Sequence, residues 1–540
     1  MPAPSKAAAL GIASLGAMAW LLGSAAIGAE PAADVVIRGG TIYDGSAAMK
    51  PYVGDVAISG ERIVYVGPHA TMEAKRVIDA AGMVVSPGFL DPHTHPDRFY
   101  KSTDPAMRQV PAWIAQGVST IFVGVDGAGS PDVADTFARV SNGGTGVNVI
   151  SYVGFGPIRT RVIGEVDRAP NPAELEKEKA LVAKGMCEGA IGFSTGLFYV
   201  PQSYSKTDEV IALGKVAAKY GAIYDTHTRD YSDFTVGAIK SYQEALDIGK
   251  ATGMPVHLSH IKIIGPKIWG KSAEVVKMVD AARAAGQSVT SSQYPYSANG
   301  TSISAIIMPN WALDGGREAL LKRMDNPETL DRLKKDMTAN LERTGGANKL
   351  LLAGTWSSAD GKEAPYSGKF LDVVAREWGL TPVDAALKIV KQGGNQSMIG
   401  FVMGEQDIEN FMKQSWNFTD SDGSDGHPRE YGTYPTKYRK YVVEQKAISL
   451  PFFIRSSTGA PADFFGVKER GYLKPGYFAD VLVFDPKTYA PKSDFSHWNL
   501  LPTGVIDLFV NGKAAIDGGR MTAVLSGRTL PHASPAGTCG

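Results

Sequence analysis

The stretch Val84-Val85-Ser86-Pro87-Gly88-Phe89-Leu90-Asp91-Pro92-His93-Thr94-His95 is an apolar run that stops at a carboxylate and two imidazoles. In a (β/α)8 barrel the chemistry sits where the strands end, so the donors that follow each apolar run decide the reading. A lone His-x-His is a weak signal. It gains weight because other runs end alike: residues 119–125 lead into Asp126, 222–224 into His227, 255–258 into His260 and 416–419 into Asp422. Four of the nine histidines thus fall on strand ends, where an imidazole without a partner is awkward, and a metal site is expected on that rim.

Three further runs, 147–153, 190–193 and 288–290, bring the set to eight. Amphipathic segments alternate with them at 172–186 (with Asn171 as N-cap), 208–220, 237–252 and 272–285. Three successive intervals are about 33 residues, roughly the chain that one strand, one helix and two loops require. The fold class is α/β, a TIM barrel over residues 84–471. Its last step is far too long, so an insertion at about 300–413, with helices at 317–324 and 327–341, is expected to form a lid or partial subdomain.

Outside the barrel the chain reads as short strands and turns. They occupy 35–38, 41–43, 55–59, 62–66 and 77–79, then 478–484, 505–510 and 514–517, with an Asn511-Gly512 turn. Chain ends commonly lie together, so residues 30–83 and 472–540 are expected to build one small β-sandwich domain around the barrel. Residues 1–29 read as an export signal: Lys6, an uncharged Ala, Gly and Leu-rich run, and small residues Ala26 and Gly28 for processing. An uncleaved anchor is the alternative; export predicts a periplasmic or secreted protein without stable membrane insertion after signal removal.

Over 540 residues, 44% hydrophobic and 20% charged composition belongs to a packed globular protein. Lys plus Arg equals Asp plus Glu at 55 each, which gives no electrostatic reason for nucleic acid or an anionic surface as partner and favours a small molecule. Cys187 and Cys539 are too few for a disulfide framework or a thiolate zinc cluster, and they lie far apart in sequence. Any metal must rest on histidines and carboxylates. His69, His497 and His532 read as surface or core histidines; His257 is expected on the strand face opposite His260, against the helices, and His427 at the pocket.

Residues 87–95, with His227, His260 and Asp422, resemble the amidohydrolase superfamily, and within it the D-aminoacylase (N-acyl-D-amino-acid deacylase) group. Similar wording occurs at Gly192-Phe193-Ser194-Thr195-Gly196-Leu197, Thr226-His227-Thr228-Arg229, Ser259-His260-Ile261-Lys262, Tyr294-Pro295-Tyr296, His427-Pro428-Arg429-Glu430-Tyr431-Gly432-Thr433 and Leu473-Lys474-Pro475-Gly476-Tyr477-Phe478-Ala479-Asp480. The resemblance implies a TIM barrel with a β-sandwich, one or two zinc ions and an N-acyl amino acid, D-configured, as substrate. The chain departs from the group in three places and lacks one feature of other amidohydrolases. Asp126 stands where the group usually has a metal-binding Cys, Phe155 where it has His, and Ser292 where it has Asp; strand four, Phe193-Ser194-Thr195, lacks the lysine that bridges two metals in other amidohydrolases.

Amide hydrolysis near neutral pH needs a metal to activate water and a base to manage its proton. His93, His95, His227 and His260 are the expected ligands, with Asp126 as ligand or bridge; the alternative for Asp126 is a turn cap. Asp422 is the expected general base, ahead of Asp420, which alternation places deeper, and Asp425, which falls in the loop. Arg229, Lys262 and Arg429 are candidates for a substrate carboxylate, and Tyr199, Tyr294 and Tyr296 shape an acyl pocket or simply pack. A metal-dependent deacylase of N-acyl amino acids leads. Hydrolysis of another amide or ester, such as a cyclic amide, dipeptide or lactone, and a non-catalytic binding protein on an inactive barrel are the alternatives.

Overall fold

The run 84–90 is two strands. In the computed structural model, which describes residues 33–48, 50–354, 366–392 and 397–539, Val84–Pro87 belongs to a nine-stranded sheet, while Phe89–Asp91 is the first barrel strand. The expected leader, residues 1–29, lies outside the described residues. Gly88 is the crossing between the two units: a Cβ there would come within 2.5 Å of the Ser119 hydroxyl, so no larger residue fits without displacing the second barrel strand.

Eight barrel strands follow the eight apolar runs: Phe89–Asp91, Val118–Val123, Asn148–Ser151 continued by Val153–Gly154, Gly192–Gly196, Ile223–His227, Val256–Leu258, Val289–Gln293 and Asn417–Thr419. Neighbours pair in parallel, and a bridge from Thr94 to Gly423 brings the first strand's end against the eighth's. Val256 and Leu258 pack outward with Val210, Leu213, Tyr242 and Ile248 of the helical layer. Phe122, Ile150, Tyr152, Ile191, Ile223 and Phe418 pack together with Phe465 as a separate cluster inside the barrel. Helix Pro172–Cys187 starts with the expected cap: Asn171 accepts from Glu174 N–H, and the Glu174 carboxylate accepts from Asn171 N–H.

The expectation for His257 fails. It sits in register with Asp225, its ring bonds the Thr290 and Ser292 hydroxyls at 3.0 Å each, and it packs on Phe418 and Phe465, so it points into the barrel. The strand ends at Leu258 and His260 has a φ of 36°, so strand alternation does not carry from one histidine to the other.

The β-sandwich draws strands from both ends of the chain. Ala33–Ile42, read above as two strands, is one strand with a bulge at Gly39 (φ 69°). Its first part pairs with Ala74–Asp79 and its last two residues with Val84 and Val85, so the bulge turns it from one layer to the other. Val481–Phe484, Val505–Val510 and Lys513–Asp517 complete the sheet from the C-terminal side. Between the seventh and eighth barrel strands, a three-stranded antiparallel sheet (Asn299–Ser302, Leu350–Ala353, Ser397–Gly400) and the helices around Pro327–Arg343 share a core of their own, including Ile307, Leu333, Met337, Leu371 and Ile389.

Beyond the sandwich the chain returns under the base of the barrel. Leu530 N–H donates to Val149 O and His532 N–H to Gly189 O, and Cys539 is disulfide-bonded to Cys187 at the end of helix Pro172–Cys187. Separation of 352 residues along the chain was no bar, because the tail follows the barrel back to that helix. Replacing both cysteines by serine should lower stability by about 2–5 kcal/mol, visible as a lower Tm that reductant no longer changes. Activity below the transition should stay unaltered, since the staple lies at the end of the barrel opposite the strand-end rim. An unchanged Tm would show that the tail's hydrogen bonds alone secure it.

Candidate metal centre

The six residues expected to carry the chemistry converge. Asp126 is the centre of the group: its Oδ1 lies 3.3 Å from His93 Nε2, 3.4 Å from His227 Nδ1 and 3.0 Å from His260 Nε2, and its Oδ2 lies 3.5 Å from His95 Nε2. Asp422 Oδ1 faces the same space, 3.3 Å from His95 Nε2 and 3.8 Å from His93 Nε2. Two sets of metal-type donors result, His93, His95, Asp126 and Asp422 on one side and Asp126, His227 and His260 on the other, with Asp126 in both.

Backbone geometry aims these groups. Asp126, His260 and Asp422 all adopt left-handed φ values, 55°, 36° and 43°, just beyond their strands. Such conformations cost energy in non-glycine residues and persist where the surroundings over-determine them. Asp91 supplies part of that restraint. Its Oδ1 accepts from His93 N–H (3.3 Å) and Ser421 N–H (3.0 Å) and its Oδ2 from Trp113 Nε1–H (2.9 Å), so one buried carboxylate ties the first strand's loop to the eighth's. His95 N–H donates to Gly423 O at 3.0 Å across the same seam.

The donor set fits a cation. His93 is wholly buried, yet among the described residues neither ring nitrogen makes a well-directed hydrogen bond, Nε2 having only the 3.3 Å approach of Asp126 Oδ1, an arrangement that native interiors avoid. Burial alone would raise Asp126, but the imidazoles of His93, His260 and His227 outweigh it and hold the carboxyl well below its ordinary range. Burial likewise opposes ionisation of Asp422, where the Arg429 guanidinium and then His260 prevail and keep it low. Desolvation pushes His227 and His260 down, toward neutral imidazoles suited to ligation. Burial is outweighed at His95, which Asp126 and Asp422 draw up to about 10. Two ionised carboxylates therefore demand positive charge among these rings, and imidazole with carboxylate is a donor set that suits zinc.

Around the centre the expected substrate residues divide. Tyr199 lines both an enclosed pocket, with Phe198, Tyr231, Phe234, Lys262, Ile264, Ile306 and Val402, and an open groove, with Gly127, Pro157, Arg161, Gln202 and Ser424. Lys262 donates to His260 O (2.9 Å) with its ammonium over the Tyr231 and Tyr294 rings, 4.5 and 5.4 Å from their centroids. Arg429 reaches the groove but is committed: Nη1 lies 2.7 Å from Asp422 Oδ2, and Nη2 donates to Gly300 O and Ser424 Oγ. Tyr294 lies behind Arg429 and Lys262 and lines neither space, and Tyr296 packs on His427.

Two expectations are not met. Arg229 turns away from both spaces and grips Glu244 through Nε and Nη2 at 2.8 and 2.9 Å. It follows His227 by two residues, but the chain leaves the strand at His227, so its direction is set by the loop and by the helix Ala238–Thr252 that carries Glu244. His427 is a buried strut. Its Nε2–H donates to Ala298 O (3.1 Å) and its Nδ1 accepts from Arg429 N–H (3.0 Å), which leaves it no face toward either space. Asp420 is buried below Asp422, and Asp425 is ion-paired with Arg98 at 2.6 Å. Residues missed from sequence include Asp91, Tyr231 and the Asn299–Ser302 strand of the insertion, whose Gly300 and Thr301 line both spaces. Asp91, adjoining the His-x-His, was the one with a visible cue.

No family model matches the chain. It is 30% identical to the D-aminoacylase of Alcaligenes xylosoxydans xylosoxydans over 92% of its own length and 97% of that protein's, and 30% identical to the N-acyl-D-aspartate deacylase of the same organism over 92% and 95%. Among solved structures, the N-acyl-D-glutamate deacylase of Bordetella bronchiseptica, complexed with zinc and a phosphonate inhibitor that mimics the reaction's tetrahedral intermediate, superposes with a TM-score of 0.78 and 26% identity, covering 92% of this chain and 99% of that one. Likeness of this extent spans nearly the whole chain, and the chain belongs to the D-aminoacylase family of amidohydrolases.

Proposed function

We propose that this protein is a zinc-dependent deacylase of N-acyl-D-amino acids, favouring those with an uncharged, apolar side chain. The observation that carries the reading is the shared carboxylate: Asp126 belongs to both donor sets, so His93, His95, His227, His260 and Asp126 together would hold one ion or two. Zinc in that position supplies polarisation of the scissile carbonyl and acidification of water. Asp422 takes the proton of the attacking water on Oδ1, the oxygen facing the histidines, and returns it to the leaving nitrogen. Arg429 occupies the other oxygen, fixing which edge of the carboxylate is presented.

The ammonium of Lys262 lines the enclosed pocket and has no carboxylate within ion-pair distance among the described residues, which suits it to the substrate carboxylate. Phe198, Phe234, Ile264, Ile306 and Val402 give that pocket its apolar surface, beside the uncharged Ser232, Asn299, Thr301 and Thr344, and among the described residues no second Lys or Arg lines it to meet an acidic side chain. The D configuration comes from the relatives, each of which carries it in its name. The open groove takes the acyl group. We also place the protein in the periplasm or outside the cell: the Ala, Gly and Leu-rich residues 1–29 and the Cys187–Cys539 disulfide support an oxidising compartment.

Three outcomes are expected. Asp422→Asn should lower kcat by about 10²–10⁴ while zinc content and Tm hold, whereas near-normal turnover would move the base elsewhere. Asp126→Ala should reduce zinc per chain, measured by elemental analysis, together with activity; if both are unchanged, Asp126 only caps its turn. In a panel of acetylated amino acids, N-acetyl-D-leucine and N-acetyl-D-phenylalanine should exceed N-acetyl-D-aspartate and the L-enantiomers in kcat/KM. Preference for the aspartate derivative, or for cyclic amides or lactones, would overturn the substrate class.

A further inference from the structure

We infer that Tyr231 is a positioning residue joining the two halves of the site, its hydroxyl fixing the proton of His260 and its ring seating Lys262; this rests on the zinc and carboxylate roles proposed above. Tyr231 lies four residues past His227 and bends back between the ligands, its ring 4.8 Å from that of His227 and 5.8 Å from that of His260, both edge to face.

The hydroxyl has three neighbours at 3.2 Å: it accepts from Thr228 N–H, and it lies against Ser259 O and His260 Nδ1. A carbonyl can only accept, so donation to Ser259 O uses the single hydroxyl proton, and the remaining lone pair is open to a proton on His260 Nδ1. All three contacts are then satisfied at once. This arrangement leaves His260 Nε2 as a bare lone pair directed at Asp126 and at His227 Nδ1, the orientation that ligation by Nε2 requires. The opposite assignment, with the hydroxyl proton on Nδ1, puts the ring proton on Nε2 and strands Ser259 O, and it is incompatible with ligation.

The ring does a separate job. Lys262 Nζ lies 4.5 Å from its centroid while donating to His260 O, and Tyr231 and Lys262 both line the enclosed pocket, so the Tyr231 ring supports the ammonium within that pocket. Hydroxyl and ring can be removed one at a time.

Zinc affinity of the apoprotein, measured by competition with a chromophoric chelator, and KM for N-acetyl-D-leucine provide two readouts. Tyr231→Phe should weaken zinc binding about 10- to 100-fold and leave KM within about twofold, because the ring stays. Tyr231→Leu should weaken zinc equally and raise KM a further 3- to 10-fold or so. Zinc affinity unchanged in Tyr231→Phe overturns the hydroxyl's role, and equal KM in the two variants overturns the ring's. Should the variants fail to fold, ¹⁵N-histidine correlation spectra of the zinc-loaded wild type decide: His260 protonated on Nδ1 is expected, and protonation on Nε2 refutes it. A wild type that binds no zinc or leaves N-acetyl-D-leucine intact would instead refute the function proposed above, so the two failures are distinct.

Discussion

One carboxylate lies within 3.5 Å of four imidazoles, and the rest of the site is arranged around it. Asp126 comes from the second barrel strand, the histidines from the first, fifth and sixth, and Asp422 from the eighth. Buried negative charge is costly unless met by opposite charge and donors, so these strand ends must close to a common point before the group is tolerable. The barrel's closure at Thr94 and Gly423, the Asp91 tie across that seam, and the left-handed backbone at three of the site residues all serve the convergence.

Much of this was legible in the sequence because a parallel barrel writes its strands as apolar runs and its site as whatever follows them. The eight strands and the six central residues were visible on that ground. What escaped followed from three physical facts. Periodicity marks a run of apolar residues but not its partner, so residues 84–90 looked like one strand although Gly88 divides it between two sheets. Alternation holds only inside a strand, which misplaced His257 and gave no direction for Arg229 once the chain had left the sheet. Folded distance is independent of sequence distance, which hid the Cys187–Cys539 pair and the return of Tyr231 from its loop to His260.

The side chains around the centre also show how the fold divides labour between barrel and attachments. Arg429, reached through the strut of His427, is held on Asp422 by a turn whose other contacts, Ala298 and Gly300, belong to the start of the insertion. The same insertion supplies Ile306 to the apolar pocket and packs its own core outside the barrel. Selectivity can therefore change through a subdomain with independent packing, while the ligands remain on strand ends that tolerate little movement.

The disulfide carries a consequence for biosynthesis. Cys187 is made 352 residues before Cys539, so during synthesis its thiol has no partner on the same chain until the last residues are added. With just two cysteines there is one possible internal pairing and no wrong one, so oxidative folding requires no isomerase to sort partners. The waiting thiol is exposed to a different hazard: until the tail arrives beneath the barrel, its available disulfide partners lie on other molecules. The backbone hydrogen bonds from Leu530 and His532 to the barrel's underside hold the tail where Cys539 meets Cys187, so the same contacts that dock the tail also remove the thiol from reach of other molecules.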